Sequence, residues 1–199
     1  MFTSMALTVW NQSLSAWPGA DDPPDCPNLL PVAFTELPKT IPLTVKEGAR
    51  ETAKVSLSAA VKYCGAQCLQ VERLTRDGNT RFQLATVPVQ PGGRYYFSCR
   101  VKATAGNPAV SFDFRGVNGE IPDAVTTGAD AAIRYHGHLL LWERQLADQP
   151  EAFNRLDMVF TAPAGATTLL VGIGYSWTLG TAWYDDFRLY ALDEDAAAQ

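Results

Sequence analysis

The sequence predicts an all-β protein, an antiparallel β-sandwich of the jelly-roll kind, on three observations. Short stretches along the chain alternate apolar and polar residues with the period of two that a strand requires. Turns rich in Gly, Pro and Asp separate them, in a chain of 199 residues holding Gly 15 and Pro 13. No stretch shows the periodicity of an amphipathic helix. Roughly ten short strands with such punctuation close into two packed antiparallel sheets.

Residues 1–27 mix Pro, Gly, Ser and Asp, as in Trp17-Pro18-Gly19-Ala20-Asp21-Asp22-Pro23-Pro24, and read as a linker or a loosely docked arm. The ordered domain is expected over 28–191, opening with Asn28-Leu29-Leu30-Pro31. Thr40 to Lys46, Ala53 to Val61, Leu69 to Arg73 and Arg81 to Val87 read as strands. A turn at Pro91-Gly92-Gly93 leads into a strand from Arg94 to Thr104. There Tyr95, Phe97, Cys99 and Val101 share one face, and Tyr96, Ser98, Arg100 and Lys102 the other. Ala109 to Arg115 repeats the pattern, with Val110, Phe112 and Phe114 opposite Ser111, Asp113 and Arg115. A long Gly-, Asp- and Thr-rich loop occupies about 116–133, and His136 to Leu146 is strand-like. Asn154 to Phe160, a turn at Pro163-Ala164-Gly165, and Thr167 to Tyr175 follow. The last strand, Gly180 to Tyr190, runs into an acidic, Ala-rich tail over 192–199.

Hydrophobic residues make up 47% of the chain and charged ones 19%, enough apolar material for one sizeable core. The net charge of -5 and the lack of a basic run argue against a nucleic-acid partner. No apolar run has the length of a membrane-spanning helix. The opening Met1 to Trp10 carries no positive charge ahead of its apolar part and makes a poor signal peptide. Four cysteines are few for a disulfide scaffold, although Cys64 and Cys68 are close enough for a small loop bridge. Cys99 reads as a buried thiol.

The last strand carries adjacent carboxylates, Asp185 and Asp186, amid apolar residues. Strict alternation puts one of them on the side of Trp183, Phe187 and Leu189, where it needs a partner, and a hard cation such as calcium suits oxygen ligands of this type. A bulge that turns both to solvent is the other reading.

Three segments carry a resemblance: Val87 to Ala103 (VPVQPGGRYYFSCRVKA), Asn154 to Gly174 (NRLDMVFTAPAGATTLLVGIG) and Gly180 to Tyr190 (GTAWYDDFRLY). Together they resemble carbohydrate-binding modules of families 4, 9 and 22, galactose-binding-like jelly rolls, over about residues 28–191. The resemblance implies a non-catalytic module that binds a polysaccharide or oligosaccharide, extracellular or at the cell surface, within or beside a polysaccharide-degrading enzyme. It further implies a structural calcium held by Asp185 and by Glu36, although here Thr35 separates Phe34 from Glu36, unlike the family pattern.

A sugar site needs flat apolar rings and planar hydrogen-bonding groups on the face of a sheet away from the core. Tyr96, Arg100 and Arg115 meet this by face, and Trp142 does if Leu139 and Leu141 are the buried set of their strand. Trp177 meets it as a loop residue. Gly172 and Gly174, free of side chains, would leave a shallow floor. His136 and His138 have the spacing of a two-imidazole metal chelate on one strand face, or form a solvated pair at a loop end. Two other functions are weighed. One is a sandwich used for protein contacts or as a spacer. The other is an enzyme, either a glycoside hydrolase with an acidic pair across a cleft or a polysaccharide lyase, for which Arg134-Tyr135-His136 supplies residue types but not a common face. No Gly-x-Ser-x-Gly elbow, P-loop or His-Glu-x-x-His motif is present.

Overall fold

The computed structural model describes residues 28–30, 53–76, 79–105, 107–120, 134–135, 138–142, 152–176 and 179–192. The expected arm, the strand at Thr40 to Lys46, Glu36, Cys26, His136, Trp177 and the tail from 193 lie outside them. Among the described residues the regular structure is all strand. In chain order the strands are β1 (Ala53–Ser58), β2 (Cys68–Arg73), β3 (Asn79–Pro88), β4 (Arg94–Ala103), β5 (Asn107–Gly116) and β6 (Gly119–Glu120). Then come β7 (Arg134–Tyr135), β8 (His138–Trp142), β9 (Asn154–Thr161), β10 (Thr168–Ser176) and β11 (Gly180–Ala191).

They form two antiparallel sheets. Sheet A has the order β1-β2-β11-β4-β9, and sheet B the order β3-β10-β5-β8-β7, with β6 also paired to β5. From β3 to β5 and again from β9 to β11, each successive strand changes sheet. That alternation gives the jelly-roll sandwich expected from the sequence. The core lies between the sheets, where Phe97 of β4 meets Phe112 of β5 edge-on at 4.9 Å. Leu69, Val71, Val101, Ile173, Tyr184 and Leu189 are fully buried beside them.

Two matched turns close one end. In Gln90-Pro91-Gly92-Gly93 the Gly93 amide donates to Gln90 O at 3.0 Å and Gly92 has φ +77°. In Pro163-Ala164-Gly165-Ala166 the Ala166 amide donates to Pro163 O at 3.0 Å and Gly165 has φ +84°. Both place the glycine where the third residue of a type II turn needs a positive φ. The first turn and the Ala162 backbone then exchange hydrogen bonds of 2.9 Å, Gly92 N to Ala162 O and Ala162 N to Gly93 O.

The last strand departs from simple alternation. Its register with β4 shifts between Asp185 and Arg188, and Asp186 has φ +49°. This is a bulge, and it reverses the parity of the strand. Before it, Tyr184 faces the core and Trp183 the outside. After it, Phe187 and Leu189 face the core, and Arg188 and Tyr190 the outside. The expectation that Trp183, Phe187 and Leu189 share a face is therefore corrected, because the extra residue turns the chain over between them. β2 pairs with β11 only as far as Tyr184. Beyond it the edge of β11 is taken by residues 28–30. Leu29 N donates to Leu189 O at 2.8 Å, and the Asn28 side chain accepts from Leu189 N at 2.9 Å and donates to Phe187 O at 3.1 Å.

Candidate functional site

The residues expected to line one sugar groove stand on two sheets. Tyr96 and Arg100 belong to β4 in sheet A, whereas Arg115 on β5 and Trp142 on β8 belong to sheet B. Arg115 is exposed there, and Trp142 pairs in register with Ala109. Gly172 and Gly174 are also in sheet B, opposite Ser111 and Ala109 of β5. All four of these floor positions are buried, Ser111 with a hydroxyl that has no hydrogen-bond partner among the described residues. Consecutive strands of a jelly roll lie in opposite sheets, so residues matched by face on β4 and β5 end on opposite outer surfaces.

Tyr96 does face away from the core, yet it is only 3% exposed. Its ring stacks on Tyr190, 6.4 Å away and 4° from parallel, and its hydroxyl accepts a hydrogen bond from Arg155. It supports the outer surface of sheet A without presenting a ring to a ligand.

The ring that is presented comes from the loop between β1 and β2. Tyr63 is 47% exposed. The Arg100 guanidinium lies over its ring, 4.7 Å from the centroid, and Phe153 flanks it at 5.8 Å with a 58° tilt. In register on this outer face, Gln70, Trp183 and Lys102 form one row across β2, β11 and β4. Asp185, Arg100 and Arg155 form the next across β11, β4 and β9. Trp183 is half-buried and donates its indole N–H to Gln70 Oε1 at 3.1 Å. Adjacent rows are about 7 Å apart, two residues along a strand.

Asp185 fixes this surface from beneath. The bulge leaves it on the outer face, under the β1–β2 loop and 8% exposed. Its Oδ2 accepts from the amides of Tyr63 at 2.7 Å and Cys64 at 3.1 Å. Its Oδ1 accepts from the amide of Asp186 at 2.8 Å and is approached by the Cys64 thiol at 3.7 Å. Charge-assisted bonds of this sort hold a loop firmly. Next to it, Asp186 Oδ1 pairs with Arg188 Nε at 2.9 Å.

The calcium expectation meets this geometry. A hard cation needs carboxylate lone pairs turned toward it, whereas the roughly four that a carboxylate offers are met at Asp185 by three amides and a thiol. Asp185 therefore does not fit a calcium ligand in this arrangement. Among the described residues no group of three or more His, Cys, Asp or Glu is placed to hold a metal.

Cys64, Cys68 and Cys99 are free thiols, so the small loop bridge between Cys64 and Cys68 is not formed here. Cys99 is buried, as expected. Burial, then the negative charge of Asp185, raises the pKa of Cys64 and of Cys68, the latter to about 12.

Sequence reasoning passed over Tyr63, Phe153 and Trp183. An aromatic residue beside a loop glycine, Tyr63-Cys64-Gly65, was the available signal for the first. Trp183 was hidden by the parity change at the bulge.

No protein-family model matches the sequence, and no curated protein matches it. Solved structures do. The enzymatically active domain of bacteriophage CBA120 tailspike protein 4 is similar at TM-score 0.51 and 14% identity, over 70% of this chain and 18% of that one. The present chain thus spans under a fifth of that protein. A family 16 carbohydrate-binding module is similar at TM-score 0.48 and 13% identity, over 68% of this chain and 84% of that one. The family 22 xylan-binding domain from Paenibacillus barcinonensis Xyn10C is similar at TM-score 0.46 and 17% identity, over 72% and 84%. The likeness to the tailspike domain is one of fold. It is a β-sandwich jelly roll.

Proposed function

We propose that this chain is a non-catalytic carbohydrate-binding module, and that it binds sugar on the outer face of sheet A. The observation that carries the reading is the Tyr63 ring, 47% exposed and held by Arg100, Phe153 and the Asp185 carboxylate. An exposed ring on an ordinary loop moves freely, and ordering it on binding costs affinity. Here two amide hydrogen bonds to a buried carboxylate fix the loop before any ligand arrives. A phenol ring so held offers the flat apolar surface that the C–H face of a pyranose packs against. One row away, Trp183 and Gln70 supply a second ring and a planar amide for hydroxyl groups.

The sequence resemblance to carbohydrate-binding modules supports the same reading. Attachment to a polysaccharide-degrading enzyme and an extracellular setting follow from that resemblance and form part of the proposal. Affinity electrophoresis against soluble glycans, with pull-down on insoluble ones, tests it. Retarded migration or retention, with no reducing sugar and no unsaturated product released, is the expected outcome. Product release would make the chain an enzyme, and absence of binding across the panel would leave a contact or spacer domain.

A further inference from the structure

Trp183 fixes the state of its neighbour across the strands. An indole N–H can only donate, so the atom of the Gln70 amide turned to it, at 3.1 Å, is the oxygen. The amide nitrogen, with its two hydrogens, is left facing away from the indole. Gln70 is half-buried, and its Nε2 has no partner among the described residues. Ser56 of β1 continues the row, in register with Gln70, and its half-buried hydroxyl also has no partner among the described residues. On one side of this row Glu72 is exposed, in register with Lys54 and Thr181. On the other side lies the loop that carries Tyr63, bound to Asp185. Between them a half-buried ring stands beside a hydrogen-bond donor. That donor cannot become an acceptor without leaving the indole N–H unpaired.

We infer that the ligand group met at Gln70 is an acetyl, and that the glycan taken by this face is an acetylated one, as an ester or as an amide. The inference rests on the reading that sheet A binds carbohydrate, and adds the chemical class. A sugar hydroxyl can accept from Gln70, but it must then place its own proton elsewhere. An acetyl carbonyl only accepts, and has no proton to place. Its methyl is apolar, and the Trp183 ring stands beside the amide to cover it. Each half of the group gains, by about threefold to tenfold for a net hydrogen bond and by a similar factor for a buried methyl.

The test uses the full chain in titration calorimetry and affinity electrophoresis with two matched pairs of glycans. One is acetylated glucomannan beside the same polymer after mild alkali, which removes the ester. The other is N-acetylchitohexaose beside cellohexaose, which carries a hydroxyl where the first has an acetamide. One acetylated member or both should bind, at least about tenfold more tightly than the counterpart. Which pair responds tells ester from amide. Gln70→Glu keeps an acceptor for the indole and loses both donors, so the preference should shrink to about twofold or less. Trp183→Phe keeps a ring but frees the amide to turn, and should also reduce the preference. Circular dichroism and the melting temperature check that both variants fold. Equal binding within each pair, tighter binding of the unacetylated member, or binding confined to other unacetylated glycans would overturn the acetyl assignment while leaving the carbohydrate reading intact. A preference that survives Gln70→Glu in a folded variant would put the acetyl elsewhere and also overturn the inference. Absence of binding to any glycan would remove both.

Discussion

The Asp185 carboxylate accepts the Tyr63 amide at 2.7 Å across 122 positions of sequence, and so joins the last strand to a loop near the beginning of the sandwich. Asp185→Ala removes this acceptor and strands the Tyr63 and Cys64 amides beneath the loop. Such a loss costs about 2–4 kcal/mol. The variant should show a correspondingly lower urea midpoint. Asp186→Ala, losing a partly buried pair with Arg188, should cost about 1 kcal/mol or less. Excess chelator should leave the wild-type melting curve unmoved, because donors already surround Asp185. A melting temperature that falls with chelator would restore the calcium.

Tyr184 crosses the core from sheet A and donates its hydroxyl to Gly174 O at 2.5 Å, while accepting from Ala109 N at 3.1 Å. Gly174 and Ala109 are register partners in sheet B, so one phenol stitches the two sheets at a single rung. Tyr184→Phe keeps the ring and empties this hydrogen-bonding position. It should destabilise by about 1–3 kcal/mol with little change in the fold, measured by denaturant unfolding.

The Cys68 thiol, pushed up to about 12 by burial and then by Asp185, holds its proton in the fold where an unfolded chain releases it near 9. Its contribution to stability is whole below pH 9 and drains away as pH rises toward 12. Tyr and Lys side chains titrate in the same range, so the readout is a difference. The melting temperature of Cys68→Ala should fall less between pH 8 and pH 11 than that of the wild type. Identical slopes would count against the shift.

Tyr63→Ala should weaken glycan binding by about 1–3 kcal/mol, the loss of an aromatic anchor, with an unchanged melting temperature within a few degrees. Trp183→Ala should weaken it as well. Arg115→Ala, on the opposite sheet, should leave affinity where it was. Calorimetry on the three variants orders them. Loss at Arg115 with none at Tyr63 would move the site to sheet B.

Much of the fold is legible in the chain itself. The alternation in Arg94 to Thr104 marks Phe97, Cys99 and Val101 for the core, and they are in it. The pairs of Pro and Gly in 91–93 and 163–165 mark turns whose geometry admits few other residues. The resemblance in three segments points to the jelly roll. The site was less legible. Face alone selected Tyr96 and Arg115 as partners, although they lie on opposite outer surfaces and Tyr96 is buried there.

The sequence by itself determined the strands β4, β5, β9 and β10, the apolar faces of β4, β5 and β10, and the turns at 91–93 and 163–165. Each of these depends on near neighbours along the chain, through pleat geometry and the φ angles open to Pro and Gly. Only the tertiary structure decided which strands share a sheet, because that depends on burying two whole apolar faces against each other. It also decided the parity of β11, where one residue in the left-handed region at Asp186 turns Trp183 outward and Phe187 inward. And it decided the surroundings of Asp185, whose carboxylate accepts the Tyr63 and Cys64 amides and so anchors their loop, a contact that exists only once β2 and β11 are paired.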